Sequence, residues 1–353
     1  MRHKHIFIVL AIAASTSSCN ILPDAFSGAT SKYYKNGNSL FHQTDETELK
    51  VGNLTVEGEV KNPGNVKLRK LYKREVFYKQ ATMGDSGKVD FVGAYRYRGY
   101  SLFDLLNPFI VEKKNLEEFR PATDLYIVIE NDKGENVTFS WNEIFFNPIA
   151  HQVIIATEVA QVKPYKIEVE YPTGKTWKVV AATDMFSYRE LENPTRITIK
   201  SFDRKVYPIH RKPENPYSPS VNIVVDNILL KTIEAREQSP SDIVYKSVFF
   251  GLGMGYHDTP TFRGFPLRGE VMEYFAADAA SWFRNGTVCV VGVDGYRAIF
   301  SMGELFNRID QVEPILSIPD NSQKSGHYRL YSPMAFYADF SVRNLAELYF
   351  FRE

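Results

Sequence analysis

The densest chemistry in this 353-residue chain lies at Gly251-Leu252-Gly253-Met254-Gly255-Tyr256-His257-Asp258, followed by Arg263. Alternating glycines permit positive φ and close backbone approach, and adjacent amides in such a stretch can form a concavity that holds an anion. An imidazole, a carboxylate and a guanidinium follow within a few residues, a set suited to a charged ligand. The Gly-x-Gly-x-Gly spacing is not the Gly-x-Gly-x-x-Gly of a dinucleotide loop, which needs a strand before it and a helix after it. The plainer reading of the stretch is a flexible connection with His257 in solvent. In the first half the comparable set is Asp85, Ser86, Lys88, Arg96 and Arg98. There the plainer reading is a solvated face with surface ion pairs. The chain has no His-Glu-x-x-His, Cys-x-x-Cys, Gly-x-Ser-x-Gly or phosphate loop, and its histidines are scattered, so no metal ligand set is expected.

The elements that would position these residues are written twice. Tyr97-Arg98-Gly99-Tyr100-Ser101-Leu102 returns as Phe262-Arg263-Gly264-Phe265-Pro266-Leu267. Each copy leads into an apolar helix-like run, Phe103 to Phe109 and Val271 to Phe275, and then into a strand, a turn and a strand. Both then read Phe-Ser-x-x-Glu, at Phe139-Ser140-Trp141-Asn142-Glu143 and Phe300-Ser301-Met302-Gly303-Glu304. A third matched piece runs from Trp177-Lys178 to Asn193 and from Tyr328-Arg329 to Asn344, with the same aromatic-to-Asn separation. Self-similarity at this range marks a duplication. Short alternating strands dominate, including Leu49-Lys50-Val51 with Leu54 to Val60 as a strand pair, Val153 to Ala156, and Lys166 to Glu170. Helices are few, and the fold class expected is α+β with mainly antiparallel or mixed strands.

Lys+Arg and Asp+Glu both number 42, so no long-range field steers a polyanion and nucleic acid is not expected as a partner. Met1-Arg2-His3-Lys4-His5 and the apolar Ile6 to Ala14 read as a signal segment, too short to span a membrane. Small residues then precede Cys19, the order expected of a lipid-modified cysteine, with an ordinary secretory signal as the other reading. A lipid there would tie the chain to a membrane surface in the cell envelope. Cys289 is the other cysteine, within Val288-Cys289-Val290-Val291, where a buried small hydrophobe is expected.

The order of pieces resembles the molybdopterin-binding domain of the sulfite oxidase superfamily, present in tandem. Val56-Glu57-Gly58-Glu59-Val60-Lys61-Asn62-Pro63 matches the family's opening strand and turn. The two aromatic-x-Gly-x-x-Leu blocks, Asp294-Gly295 leading into Phe300-Ser301, and Arg329-Leu330-Tyr331-Ser332-Pro333 match later pieces. The organisation expected is a signal at residues 1–19, a tether at 20–48 and a proline-marked linker at 204–220, with the repeats that carry the resemblance at 49–203 and 221–353. The resemblance also implies that the loop before each aromatic-x-Gly block lines the cofactor mouth. Thr82, Asp85 and Arg98 in the first repeat, and Tyr256, His257, Asp258 and Arg263 in the second, are the candidate ligand-binding residues. Catalytic members place a molybdenum-binding cysteine just upstream of that block; neither Gln80 to Asp85 nor Ser247 to Gly253 contains one. The expectation is a lipid-anchored envelope protein without cofactor, a binding or assembly module for a small molecule or an envelope protein partner. The alternatives are a molybdopterin-dependent oxidoreductase with non-cysteine ligands around Thr82-Met83 or His257-Asp258, and a structural envelope lipoprotein.

Overall fold

Leu125-Tyr126-Ile127-Val128-Ile129 and Val288-Cys289-Val290-Val291 are apolar at every position, and strands of this kind need cover on both faces. The computed structural model describes residues 42–43, 46–84, 87–164, 166–210, 218–319 and 327–353. Residues 1–19 with Cys19, and nearly all of the 20–48 tether, lie outside these. A small unit comprises Met1–Gln43 and Lys163–Val169; a large one comprises Thr44–Val162 and Glu170–Glu353. In the small unit β1 (His42–Gln43) is a strand, while residues 166–169, read as part of a strand-like run from the sequence, are not.

The first half of the large unit contains β2 (Thr47–Glu48), β3 (Thr55–Gly58), β4 (Gly64–Asn65), β5 (Arg74–Met83) and β6 (Val89–Ser101). It continues with α1 (Leu102–Leu106), β7 (Leu125–Asn131), β8 (Asn136–Ser140), β9 (Val153–Lys163), β10 (Lys178–Ala181), β11 (Leu191–Glu192) and β12 (Pro194–Ser201). One sheet has the order β4-β3-β12-β7-β8, with β3 parallel to β12. The other runs β11-β10-β9-β6-β5, all antiparallel. Leu49 to Val51 do not pair with β3 as expected: Leu49 N donates to Thr157 O, and β3 pairs with β4 across the Asn62-Pro63 turn.

The second half contains β13 (Ser220–Val225), β14 (Ile228–Glu234), β15 (Ile243–Lys246), β16 (Phe249–Gly251), β17 (Gly255–Asp258) and β18 (Thr261–Pro266). Next come α2 (Arg268–Val271), α3 (Ala279–Asn285), β19 (Gly286–Gly292), β20 (Arg297–Ser301), α4 (Met302–Phe306), β21 (Ile315–Ser317), β22 (Arg329–Tyr331) and β23 (Leu345–Arg352). The sheet orders β14-β13-β23-β19-β20 and β15-β18-β21-β22 repeat those of the first half, including a parallel β13–β23 pair. The duplication is therefore present in the backbone. These are antiparallel and mixed sheets with few, short helices. Equivalent residues do equivalent work. A Cβ on Gly99 would meet Ile155 O at 2.1 Å, and one on Gly264 would meet Leu316 O at 2.0 Å. Asn193 and Asn344 both adopt positive φ, 52° and 50°, ahead of the last strand of each half.

The halves are not separately packed domains, because their five-stranded sheets share a core. Leu125, Ile127 and Ile129 face the first-half core, while Tyr126 and Val128 face a core made jointly with Cys289, Val291, Tyr349 and Phe351. The period-two alternation of a strand produces this division. The segment read as a linker is part of it: Tyr207 is buried beside Phe202, and His210 N donates to Asp294 O. Pro213 and Pro216 lie outside the described residues.

At one edge of this interface the two Phe-Ser-x-x-Glu motifs cross. Within each motif the serine Oγ accepts the glutamate's own backbone N–H, capping the turn that follows. Between motifs, Ser140 Oγ donates to Glu304 Oε2 at 2.6 Å and Ser301 Oγ donates to Glu143 Oε1 at 2.7 Å. The buried Arg189 guanidinium holds Glu143 and Asp184. Among the described residues no ion pair reaches Glu304; Asn142 Nδ2 and Ser140 Oγ donate to it instead. Burial, and next the Glu143 charge, push the Glu304 carboxyl up to about 8.

Two outcomes follow from this packing. Gly264→Ala, like Gly99→Ala, is expected to cost about 2–3 kcal/mol from overpacking against backbone, read from urea midpoints. For Glu304 the folded value lies above the ordinary 4.5, so its contribution is complete below about pH 4.5 and lost as pH rises through about 8. Thermal stability should fall over that window, and Glu304→Gln should flatten the fall.

Candidate anion-binding site

The glycine-rich stretch folds as the β16–β17 hairpin, with Phe249 opposite Asp258, Gly251 opposite Gly255, and a bulge between Phe249 and Phe250. Gly255 takes positive φ, 73°, at the turn. Gly251 makes room for His257, whose Nε2 would lie 2.8 Å from a Cβ there. Asp339 Oδ2 accepts Leu252 N at 2.7 Å and ties the hairpin to the short turn Ala338–Phe340. The hairpin separates two clefts, of about 360 and 390 Å³, which share Phe249 and Arg329. Asp258, Arg263 and Ser317 belong to the first; Met254, His257, Asp294, Tyr296, Asp339 and Arg343 belong to the second.

Arg329 is the centre of both. Its guanidinium carbon lies 5.4 Å from the Phe249 ring centroid and 5.8 Å from that of Phe262. Burial, then the neighbouring Arg343, lowers its pKa to about 10, which leaves it charged at neutral pH. Among the described residues it has no hydrogen bond or ion pair to a carboxylate. Three carboxylates also line the clefts, Asp258 in the first and Asp294 and Asp339 in the second; each accepts a backbone N–H, and none pairs with Arg329. A partly desolvated cation without a counter-charge is costly.

The first half shows what the same place looks like when the charge is balanced. Counted from Trp177 and Tyr328, Lys178 matches Arg329, Glu190 matches Ser341, and Glu192 matches Arg343. The short turns Ser187–Arg189 and Ala338–Phe340 fall at matching positions, which supports that register. Lys178 Nζ stands 5.9 Å over the Tyr97 ring, as Arg329 stands over Phe262. It is buried at 3% exposure and paired with Glu190 at 2.6 Å and Glu192 at 3.6 Å. The second half keeps the cation and replaces both acids, one by a hydroxyl and one by a second cation.

The sequence-derived candidates divide accordingly. His257, Asp258 and Arg263 line the clefts. Tyr256, on the outer side of the hairpin, contacts Thr259 through its hydroxyl at 3.1 Å. Arg98 lies on β6 in ion pairs with Glu46 and Glu158. Thr82 lies on β5, whose end is fastened by Met83 N donating to the Tyr188 hydroxyl. Asp85 lies outside the described residues. Thr82 and Arg98 do not join the Arg329 clefts. Arg329 and Arg343 were not among the candidates, although the exchange of Glu190 and Glu192 is visible once the repeats are aligned.

The donor set fits an oxyanion: guanidinium groups, an imidazole and a serine hydroxyl. It contains no thiolate, the ligand that catalytic members of the resembled family supply. Cys289 is fully buried in the joint core, its thiol pushed well up by burial, and it supplies neither cleft. No protein-family model matches the chain, and no curated protein matches it.

The contrast between the halves has a stability signature. Lys178→Met leaves Glu190 buried without its cation and is expected to cost about 3–5 kcal/mol. Arg329→Met removes a charge that pairs with nothing and should change stability by less than about 1 kcal/mol, or raise it. Denaturant titration of both variants reads the difference.

Proposed function

We propose that the chain is an envelope-anchored, non-catalytic binding module that takes a small anion in the Arg329 clefts of its second repeat. The observation that carries this is the charge asymmetry between repeats: Lys178 is neutralised by two carboxylates, whereas Arg329 faces Ser341 and Arg343. A guanidinium that lines a cleft without a carboxylate partner binds anions because a bound anion supplies the counter-charge that Glu190 and Glu192 supply in the first repeat. The twice-repeated sheet order supports reading the scaffold as tandem sulfite-oxidase-like repeats. The absence of a thiolate upstream of either aromatic-x-Gly block supports reading it as non-catalytic. The basic and apolar residues before Cys19 support export and lipid anchoring at the envelope.

Titration calorimetry of the chain with inorganic phosphate, sulfate and short dicarboxylates at low salt tests the reading. Arg329→Gln is expected to weaken binding by at least about tenfold, the worth of one charge-assisted hydrogen bond of about 1.5 kcal/mol. Unchanged affinity in that variant would remove the site from consideration. Stoichiometric molybdenum in protein from a molybdopterin-making host would overturn the non-catalytic reading, and no anion binding would leave the structural lipoprotein.

A further inference from the structure

We infer that the anion is the headgroup of an amphiphile, whose apolar part lies along the β16–β17 hairpin; this rests on the anion-site reading above. The cleft lined by Arg329 and Arg343, with Asp294 and Asp339, is also lined by Met254, which is 81% exposed. Leu252, Phe250 and Tyr256 of the same hairpin are exposed, as is Phe336, whose ring lies 5.9 Å from that of Phe250. Phe249, Tyr296 and Val342 add apolar lining to the same cleft. A bare inorganic anion would use the charged lining alone and leave the apolar lining wet. A charged head with an apolar tail satisfies both, and methionine in the lining adapts to tails of varied shape.

The comparison between halves points the same way. In the first half the hairpin is a regular continuation of β5 and β6, pairing through to Met83 and Val89. Ala81 N donates to Ser187 Oγ and Met83 N to the Tyr188 hydroxyl, drawing it against the Ser187–Arg189 turn. In the second half the β15–β18 pairing runs from Lys246–Thr261 to a Ser247 N–Pro260 O bond, Leu252 N ties the hairpin to the Ala338–Phe340 turn, and β16–β17 forms a separate two-stranded sheet. Both hairpins expose apolar side chains, Met83, Val89 and Phe91 in the first half and Leu252, Met254 and Tyr256 in the second. The separate β16–β17 sheet and the Arg329 guanidinium without a carboxylate partner are the departures from the first repeat, and they meet at one cleft. That coincidence is what a ligand with two chemical ends would require.

The test uses the full chain carrying Cys19→Ser, so that no acyl group is attached and no detergent is needed. Calorimetry compares inorganic phosphate with octyl phosphate below its micellar concentration. Octyl phosphate is expected to bind at least about tenfold more tightly, the margin given by roughly two buried methylenes. Leu252→Ser with Phe336→Ser should erase that margin while leaving phosphate affinity unchanged, and Arg329→Gln should weaken both ligands. Equal affinity for the two ligands in the parent chain overturns the amphiphile inference and leaves the anion site standing. Binding of neither overturns both. Dihexanoyl phosphatidylglycerol, soluble as a monomer, separates the sources. Affinity matching octyl phosphate identifies a phospholipid headgroup, and much weaker binding identifies a free phosphomonoester amphiphile.

Discussion

Cover on both faces of β7 and β19 is the constraint from which the rest of the large unit follows. These two strands have almost no polar face to give to water, and Tyr349 and Phe351 of β23 join them, so each half presents an apolar sheet face that the other half hides. The rings of Tyr126, Phe202, Tyr349 and Phe351 meet there at centroid distances of 5.5 to 5.6 Å. Each large side chain fully buried is worth about 1.5–3 kcal/mol, so separating the halves would expose far more than a marginal fold can spare. Polar groups at the edges orient the joint. The serine–glutamate pairs cross it on one side, and buried Arg297 reaches Asp124 and Glu118 on another.

The same joint shows how a duplicated chain departs from symmetry at limited cost. Arg189 fills the gap beside Glu143, held close because Gly303 has no side chain to block it; a Cβ there would lie 2.4 Å from Arg189 Nε. The matching position in the second half is Phe340, buried in the apolar core, so among the described residues no second guanidinium pairs with Glu304, and burial raises its carboxyl pKa. At the cleft the asymmetry runs the other way. Lys178 lies in a closed ion-pair cluster, while Arg329 lines the clefts without a carboxylate partner. One half is built for packing and the other retains a charged opening.

Much of this architecture was legible in the sequence. Gly99 and Gly264 mark places where neighbouring backbone leaves no room for a Cβ. Asn193 and Asn344 mark positive φ, and the uninterrupted run around Cys289 marks a doubly covered strand. Serine followed three residues later by glutamate announces a cap in each half, a local signal. That each serine also reaches the other half's glutamate is a tertiary fact, since nothing local specifies a partner some 160 residues away. The expected linker shows the same limit: prolines describe its stiffness, but Tyr207 is buried by surfaces that exist only once both halves have folded.

The sequence by itself determined the repetition, the strand alternation, the places reserved for glycine, and the missing thiolate, because each depends on residue type at a spacing within one element or one repeat. It also singled out the hairpin that carries His257. The tertiary structure decided that Arg329 is the cation at the centre of the clefts and that Arg98, its rival by composition, is neutralised by Glu46 and Glu158. The reason is electrostatic. Whether a cation is available depends on which carboxylates stand within a few ångströms of it, and chain order does not fix those distances.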